Sequence, residues 1–82
     1  MNTLERVRHI IADLFNRSFE QVTSASSPDT LADWDSLQHL NIVLALEQEF
    51  ALQFTPEEIE QMLSVELIAD LTEEKLGAPA TR

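Results

Sequence analysis

The apolar residues of this chain recur at three- and four-residue steps, and no run of β-branched residues alternates with polar ones as in a strand. From about Thr3 to Phe15, four apolar residues form one stripe of a helix: Leu4, Val7, Ile11 and Leu14. The chain contains a single glycine, Gly77. These features predict an all-α protein. Its 82 residues suit one domain over 1–82, with a structured core over about 3–76 and a frayed tail over 77–82.

A long loop is predicted between the first and second helices. Residues 16–34 lack a helical period and contain "SSPDT", which favours turns. A loop of this length in a compact domain is often functional. Three apolar residues are expected to pin it to the core: Phe19, Val22 and Leu31. The second helix is predicted from Asp35 or Ser36 to about Phe50, with Asp35 suited to the N-cap.

Capping signals mark two more helices. Three residues match the cap, first position and capping-box acid of a short third helix: Thr55, Pro56 and Glu58. Ser64 can cap a last helix, which Gly77 and Pro79 would end. Its inward residues are predicted as Val65, Ile68 and Leu71, or as Leu67 and Leu71. The predicted core residues are Ile11, Leu14, Val43, Leu46, Phe50, Ile59 and Ile68.

The second helix carries two apolar stripes instead of one. The first consists of His39, Ile42, Val43, Leu46 and Phe50. The second consists of Leu37, Leu40 and Leu44. A helix in a bundle needs only one stripe for the core, and so small a domain can hardly bury a helix all round. The helix is either central and buried on both sides or, as we favour, presents the second stripe to a partner.

Composition excludes several classes of protein. Fifteen acidic and five basic residues give a net charge of −10, which argues against nucleic-acid binding. The charge favours partners with basic patches, or it only maintains solubility. The absence of cysteine excludes disulfides and thiolate sites and suits a reducing compartment. The sequence shows neither a signal peptide nor an apolar stretch that could span a bilayer, so we expect a cytoplasmic protein without membrane insertion.

Ser36 stands at the predicted start of the second helix, in the sequence "DWDSL". The simplest role for a serine there is a helix cap. A hydrolytic nucleophile would need a base and an oxyanion hole, and the sequence has no G-x-S-x-G elbow. The only histidines are His9 and His39, and His39 should project about one turn further along the helix. An esterase is therefore disfavoured.

Two other chemical roles can be considered for this region, a metal site and a modified serine. A calcium loop is not expected, since its acids lack the spacing, glycine and closing glutamate of an EF-hand; these acids are Asp29, Asp33 and Asp35. No metal site is predicted. A phosphodiester on Ser36 would be favoured by the free N–H groups and dipole of the helix N-terminus. A long, mobile loop before Ser36 would let a modifying enzyme reach it.

The chain resembles the acyl carrier protein family in three segments: "DSL" at the head of a helix, then "LALEQEF", then "TPEEIEQM". The resemblance extends from about Leu4 to Leu76. It implies a four-helix bundle with a short third helix, and 4′-phosphopantetheine attached to Ser36 by a phosphopantetheinyl transferase that uses coenzyme A. The thiol of that arm would hold acyl groups as thioesters. The protein would thus be a carrier and no enzyme.

The resemblance also implies a partner face on the second helix. The residues predicted to bind partners are Asp35, Leu37, Gln38, Leu40, Asn41, Leu44 and Glu47. Fatty-acid carriers usually surround the leucines with acids, whereas here neutral amides stand at Gln38, Asn41 and Gln48. This departure suggests a specialised biosynthetic pathway. The expected partners are the transferase, a ligase or transferase that loads an acyl or aminoacyl group, and downstream enzymes.

Several alternatives stay open at this stage. The cargo could be fatty acyl, polyketide or aminoacyl, the last implying an aminoacyl or peptidyl carrier. The chain could instead be a helical interaction module that never receives the arm. Trp34 is predicted to anchor the loop, with contact to the arm as the alternative. His39 is predicted to be a hydrogen-bonded structural residue, with a place at the entrance of an acyl pocket as the alternative. A monomer is expected.

Overall fold

The computed structural model describes residues 2–77, which fold into four α-helices. The helices are α1 (Thr3–Phe15), α2 (Ser36–Phe50), α3 (Pro56–Glu60) and α4 (Val65–Gly77). One short 3₁₀ helix, Phe19–Gln21, lies in the α1–α2 loop, and no strand occurs within residues 2–77. The predicted all-α class and the predicted bounds of α1 and α2 are confirmed. Pro79 and most of the predicted tail lie outside the described residues.

The core lies between α1, α2 and α4, and α1 packs against both of the other helices. Five of the seven predicted core residues are buried: Ile11, Val43, Leu46, Phe50 and Ile68. Leu14 and Ile59 were predicted to be buried but are only partly so, and they pack on the edge of the core. In α1 the inward stripe runs through Val7, Ile11 and Phe15, which leaves Leu14 on the flank. Ile59 belongs to the five-residue helix α3, which lies outside the main three-helix contact.

Two further predictions about apolar residues need correction. Leu67 is 44% exposed, so the inward stripe of α4 follows the other predicted set, with Val65 and Ile68 buried. Phe19 does not enter the core; it is half-buried and stacks on the imidazole of His9, with ring centroids 4.1 Å apart. The other two predicted loop anchors, Val22 and Leu31, are buried as expected.

The α1–α2 loop is tied to α1 by one arginine. Arg8 donates from Nε to the carbonyl of Val22 and from Nη2 to the carbonyl of Phe19 at 3.1 Å. Its guanidinium also lies 3.7 Å from the centre of the Phe19 ring, a favourable cation–π position. The first half of the loop, predicted to be mobile, is therefore held against the helix that precedes it.

The same loop supplies the cap of α4. The first N–H groups of a helix have no partner within the helix. The N–H of Val65 donates to the carbonyl of Ser26 and that of Glu66 to the carbonyl of Ser24, both at 2.9 Å. Ser64 acts as predicted, since its Oγ accepts from the N–H of Leu67 at 3.2 Å. The loop thus joins α1 and α4 before it reaches α2.

Positive charge is scarce in this chain, and each basic residue of the described part contacts residues distant from it in the sequence. The ion pairs are Arg6–Glu49 at 2.8 Å, Arg17–Asp33 at 3.0 Å and Lys75–Glu58 at 3.0 Å. The remaining described basic residue, Arg8, binds the loop carbonyls. Arg6 also lies over the ring of Phe50, 4.3 Å from its centre. These contacts connect α1 to α2, α1 to the loop, and α3 to α4.

The least exposed of these pairs fixes the short helix α3. Lys75 donates to both carboxylate oxygens of Glu58, at 3.0 and 3.1 Å. The predicted capping box is confirmed, because Thr55 and Glu58 exchange side-chain to backbone hydrogen bonds. The hydrogen bond from the Thr55 N–H, and then the bond from Lys75, hold the pKa of Glu58 below its ordinary value of 4.5. The ionised carboxylate therefore stabilises the fold.

We predict that Lys75→Met destabilises the protein by about 1 kcal/mol at neutral pH, the upper end for partly exposed ion pairs. A lowered pKa contributes stability above the ordinary value that is lost as the pH falls through the folded-state pKa. The difference between wild type and variant should therefore shrink below pH 4.5. Urea unfolding at stepped pH measures it, and Glu58→Gln provides the control background in which Lys75→Met should show no pH dependence. If the difference in unfolding free energy between wild type and Lys75→Met were unchanged in acid, the stabilising contact between Lys75 and ionised Glu58 would be contradicted.

Candidate functional site

Ser36 is the first residue of α2 and is exposed. The residue before it supplies the cap: Oδ1 of Asp35 accepts the N–H of Gln38 at 2.9 Å, and the carbonyl of Asp35 accepts the N–H of His39 at 2.9 Å. The predicted N-cap role of Asp35 is confirmed. The hydroxyl of Ser36 has no part in these capping bonds, so capping does not explain the serine.

Trp34 fixes the end of the loop two residues before Ser36. Its side chain is 4% exposed, and its indole meets the ring of Phe15 edge-on at 6.1 Å between centroids. The indole N–H donates to Nδ1 of His39 at 3.0 Å. The predicted role of Trp34 as a loop anchor is confirmed. Because Trp34 contacts both α1 and α2, the chain enters the site from a fixed point.

His39 uses both of its ring nitrogens in internal hydrogen bonds. Nδ1 binds the indole of Trp34, and Nε2 lies 2.9 Å from the carbonyl oxygen of Ile59 in α3. The prediction of a hydrogen-bonded structural histidine is confirmed. His9, the other histidine, stacks on Phe19. Neither histidine offers a nitrogen to Ser36, so the serine–histidine pair that the esterase alternative would use is not formed.

A cleft of about 560 Å³ opens beside Ser36. Its lining residues are Pro28, Trp34, Asp35, Ser36, His39 and Leu40. Pro28, Trp34 and Leu40 give it apolar walls, and none of the lining residues is basic. The cleft can therefore accommodate an uncharged, flexible chain that starts at Ser36, while a charged group would be better placed in solvent at the helix N-terminus.

The second apolar stripe of α2 lies on the surface, as predicted. Leu37, Leu40 and Leu44 are 68%, 53% and 59% exposed. Next to them, the side chains of Gln38 and Asn41 bind each other, with Asn41 Nδ2 donating to Gln38 Oε1 at 3.2 Å. The face around the leucines is thus built from apolar side chains and a paired, neutral amide couple. A surface of this kind suits a partner protein.

Both acids of the predicted partner face make internal contacts. Asp35 caps α2, and Oε2 of Glu47 accepts the backbone N–H of Phe54 at 3.0 Å. The role of Glu47 in holding the α2–α3 loop was missed from the sequence, which gives no signal for a contact set by the path of that loop. Partner binding by Glu47 and by the other predicted residues remains a prediction.

The described part of the chain also lacks two kinds of feature. Within residues 2–77, every helix is too short or too polar to cross a bilayer. In the same part of the chain, no three histidine, aspartate or glutamate side chains are grouped closely enough to hold a metal ion.

Comparison with known proteins gives one consistent result, although no protein-family model matches the chain. The chain is 32% identical to an acyl carrier protein of Thermosynechococcus vestitus over 75 residues, which cover 92% of this chain and 93% of the relative. It is 38% identical to an acyl carrier protein of Petrotoga mobilis over 74 residues, which cover 89% and 86%. The fold matches the solution NMR structure of holo acyl carrier protein from Geobacter metallireducens, with a TM-score of 0.82, 30% identity, and coverage of 93% and 87%.

The chain therefore belongs to the acyl carrier protein family. Membership confirms the helical bundle and the carrier class that the resemblance implied, with 4′-phosphopantetheine as the prosthetic group. The residues fit this group: a helix N-terminus favours its phosphate, and the apolar cleft beside Ser36 has room for its chain. The group supplies a terminal thiol, which the cysteine-free chain lacks. Members of the family are carriers that work with synthase enzymes and a phosphopantetheinyl transferase.

Proposed function

We propose that this protein holds acyl intermediates as thioesters on a 4′-phosphopantetheine arm attached to Ser36, and delivers them to the enzymes of a specialised biosynthetic pathway. The observation that carries the proposal is the position of Ser36. It is exposed at the start of α2, is relieved of capping by Asp35 and stands at the mouth of an apolar cleft. The arm would be added by a phosphopantetheinyl transferase with coenzyme A as donor.

The chain contributes position and access, and the chemistry of loading and transfer belongs to other enzymes. His39, the histidine next to Ser36 in the cleft, is bound at both nitrogens. The protein is therefore proposed to be no enzyme. Its partners would be the transferase, an acyl- or aminoacyl-loading ligase or transferase, and the enzymes that use the loaded arm.

The proposed partner face consists of seven residues around the outer stripe of α2: Asp35, Leu37, Gln38, Leu40, Asn41, Leu44 and Glu47. The three exposed leucines support it, because an apolar stripe left on the surface of a bundle is typical of a protein interaction site. A partner that covers these leucines would gain from burying apolar surface. The amide pair of Gln38 and Asn41 would add hydrogen bonds at the edge of the contact.

The charges around this face support a specialised partner. Gln38, Asn41 and Gln48 carry no charge, and Asp35 and Glu47 are the only acids among the seven residues of the proposed face. Electrostatic complementarity mainly sets association rate and partner choice. A partner with a strongly basic dock would therefore gain less from this face than from one with acids in place of the three amides.

We further propose that residues 1–82 form one domain that acts as a monomer in the cytoplasm. The core is supplied by α1, α2 and α4 of a single chain, which supports a folded monomer. The absence of cysteine is compatible with a reducing compartment.

Modification of Ser36 is the direct test. After incubation with coenzyme A and a phosphopantetheinyl transferase of broad specificity, the wild type should gain the mass of one phosphopantetheine. Ser36→Ala should gain none, because the accepting hydroxyl is gone. Ser27→Ala, which changes a serine of the loop, should be modified like the wild type. Intact-mass spectrometry measures the modification of the wild type and of both variants. Modified Ser36→Ala would refute the site, and an unmodified wild type would favour the interaction module.

The partner face is tested by Leu40→Ala. Since Leu40 is 53% exposed, its truncation should leave the melting temperature nearly unchanged while slowing transfer between the loaded carrier and its partner enzyme. Leu46→Ala is the matched control on the inward side of α2, where a fully buried leucine should cost about 2–5 kcal/mol of stability. Strong destabilisation by Leu40→Ala, or transfer at the wild-type rate, would contradict a partner role for this stripe.

The neutral amides make a separate prediction. Gln38→Glu together with Asn41→Glu should speed association with fatty-acid synthesis enzymes that have basic docks, and high salt should remove the gain. Association with the cognate partner should not improve. The measurement is the association rate with both classes of enzyme at low and high salt, with Gln53→Glu on the α2–α3 loop as a control for negative charge added outside the proposed face. Equal gains with both partners would show that the missing charges carry no specialisation.

A further inference from the structure

A hydrogen-bonded bridge crosses three elements beside Ser36. It runs from the indole N–H of Trp34 in the loop to Nδ1 of His39 in α2, and from Nε2 of His39 to the carbonyl of Ile59 in α3, over 3.0 and 2.9 Å. We refer to these three residues as the Trp34–His39–Ile59 bridge.

The chemistry of the two end groups fixes the protonation of the central histidine. An indole N–H can only donate, so Nδ1 of His39 must accept. A carbonyl oxygen can only accept, so Nε2 must carry a proton and donate to Ile59. The bridge therefore requires the neutral imidazole with its proton on Nε2. Neither the other tautomer nor the imidazolium can make both bonds.

A second proton on His39 would break only one of the two hydrogen bonds of the bridge, the bond to Trp34. It would bind Nδ1, place an N–H opposite the N–H of Trp34, and abolish the hydrogen bond between them. The bond from Nε2 to Ile59 would remain, because Nε2 stays a donor. Protonation thus separates the loop from α2 while α2 and α3 stay connected.

This separation would change the surroundings of Ser36. Trp34 and His39 both line the cleft, and their rings lie nearly parallel, 25° apart, with centroids at 6.1 Å. Once the bond is lost, Trp34 keeps its edge contact with Phe15 and the backbone bond from its N–H to the carbonyl of Leu31. The indole wall of the cleft would then lose its only polar contact with α2 among the described residues.

The charged groups around His39 come from each element that packs on it. Asp35, on its own helix, lines the same cleft, and its Oδ1 is engaged by the Gln38 N–H. Asp33 precedes Trp34 in the loop and is paired with Arg17. In α3, Glu58 and Glu60 flank Ile59, and Glu58 is paired with Lys75.

From this geometry we infer that His39 is a proton-sensitive positioning residue. As the neutral Nε2–H tautomer it holds the Trp34 wall of the cleft in place beside Ser36, and its protonation releases that wall. The inference concerns the unmodified protein, so it stands or fails independently of the arm on Ser36.

Fluorescence can follow the bridge directly, because the chain has one tryptophan and no tyrosine. Between about pH 8 and pH 5, histidine titrates while most carboxylates stay ionised. In the unmodified wild type, the emission of Trp34 should change when His39 is protonated, because the hydrogen bond between them is lost. At the acidic end, the indole proton should exchange with solvent about two- to tenfold faster in the wild type than in His39→Gln at the same pH. This is the effect expected from the loss of one ordinary hydrogen bond.

Two variants provide the controls. In His39→Gln, an amide offers both an acceptor and a donor but does not titrate, so the emission of Trp34 should not change over this pH range. His9→Gln removes the histidine stacked on Phe19, outside the cleft, and should keep the titration of the wild type. Equal titrations in wild type and His39→Gln, or loss of the titration in His9→Gln, would overturn the inference.

A measurement on the wild type alone avoids any dependence on how the variants fold. Nitrogen-15 NMR of the imidazole distinguishes the two neutral tautomers and the imidazolium. We expect the Nε2–H tautomer at the alkaline end, and the change of Trp34 emission should coincide with the titration of His39. The Nδ1–H tautomer, or a Trp34 signal that stays constant while His39 titrates, would refute the bridge as described.

Discussion

The burial of Trp34 is the contact on which the geometry of the site depends. The loop between α1 and α2 is long, and a chain of that length gives the next helix no fixed starting point by itself. Trp34 provides that point, because its side chain is 4% exposed, meets Phe15 of α1 and donates to His39 of α2. Two residues later the exposed Ser36 begins α2. A buried aromatic anchor therefore places the exposed serine at a defined helix N-terminus.

The distribution of charge explains how so acidic a small domain stays folded. The net charge is −10, and self-repulsion of this size destabilises a compact state. Arg6, Arg8 and Lys75 each connect two elements, and Arg17 joins the two ends of the α1–α2 loop. The Arg6–Glu49 pair joins α1 to α2 and the Lys75–Glu58 pair joins α4 to α3, so these cations stabilise the bundle where its helices meet.

Much of the fold could be predicted because local signals and the apolar period agree. The caps at Asp35, Thr55 and Ser64 mark helix starts that the structure contains. The two stripes of α2 were separated correctly, since a helix of this length fixes its inward side well. In other segments the period determines the inward side less sharply: Leu14 packs on the edge of the core, and of the two inward sets left open for α4, the one with Leu67 is excluded by its exposure.

The parts of the site that were missed depend on contacts between distant segments. The bond from His39 to Ile59 requires the C-terminal end of α3 to lie against α2, and the bond from Phe54 to Glu47 requires the α2–α3 loop to fold back. Neither leaves a periodic or capping signal in the sequence. The position of Ser36 at the start of α2 could be predicted because Asp35 suits the N-cap, whereas its role as the attachment site comes from the family resemblance and remains a prediction.

The central claim is that Ser36 bears the arm on which this protein carries acyl groups. The most direct measurement is fragmentation mass spectrometry of the protein purified from its own cells, without added enzymes. We predict one phosphopantetheine on the peptide that contains Ser36, part of it bearing an acyl group that hydroxylamine releases, as expected for a thioester. Phosphopantetheine on any other residue, or a protein whose whole population is unmodified, would contradict the account.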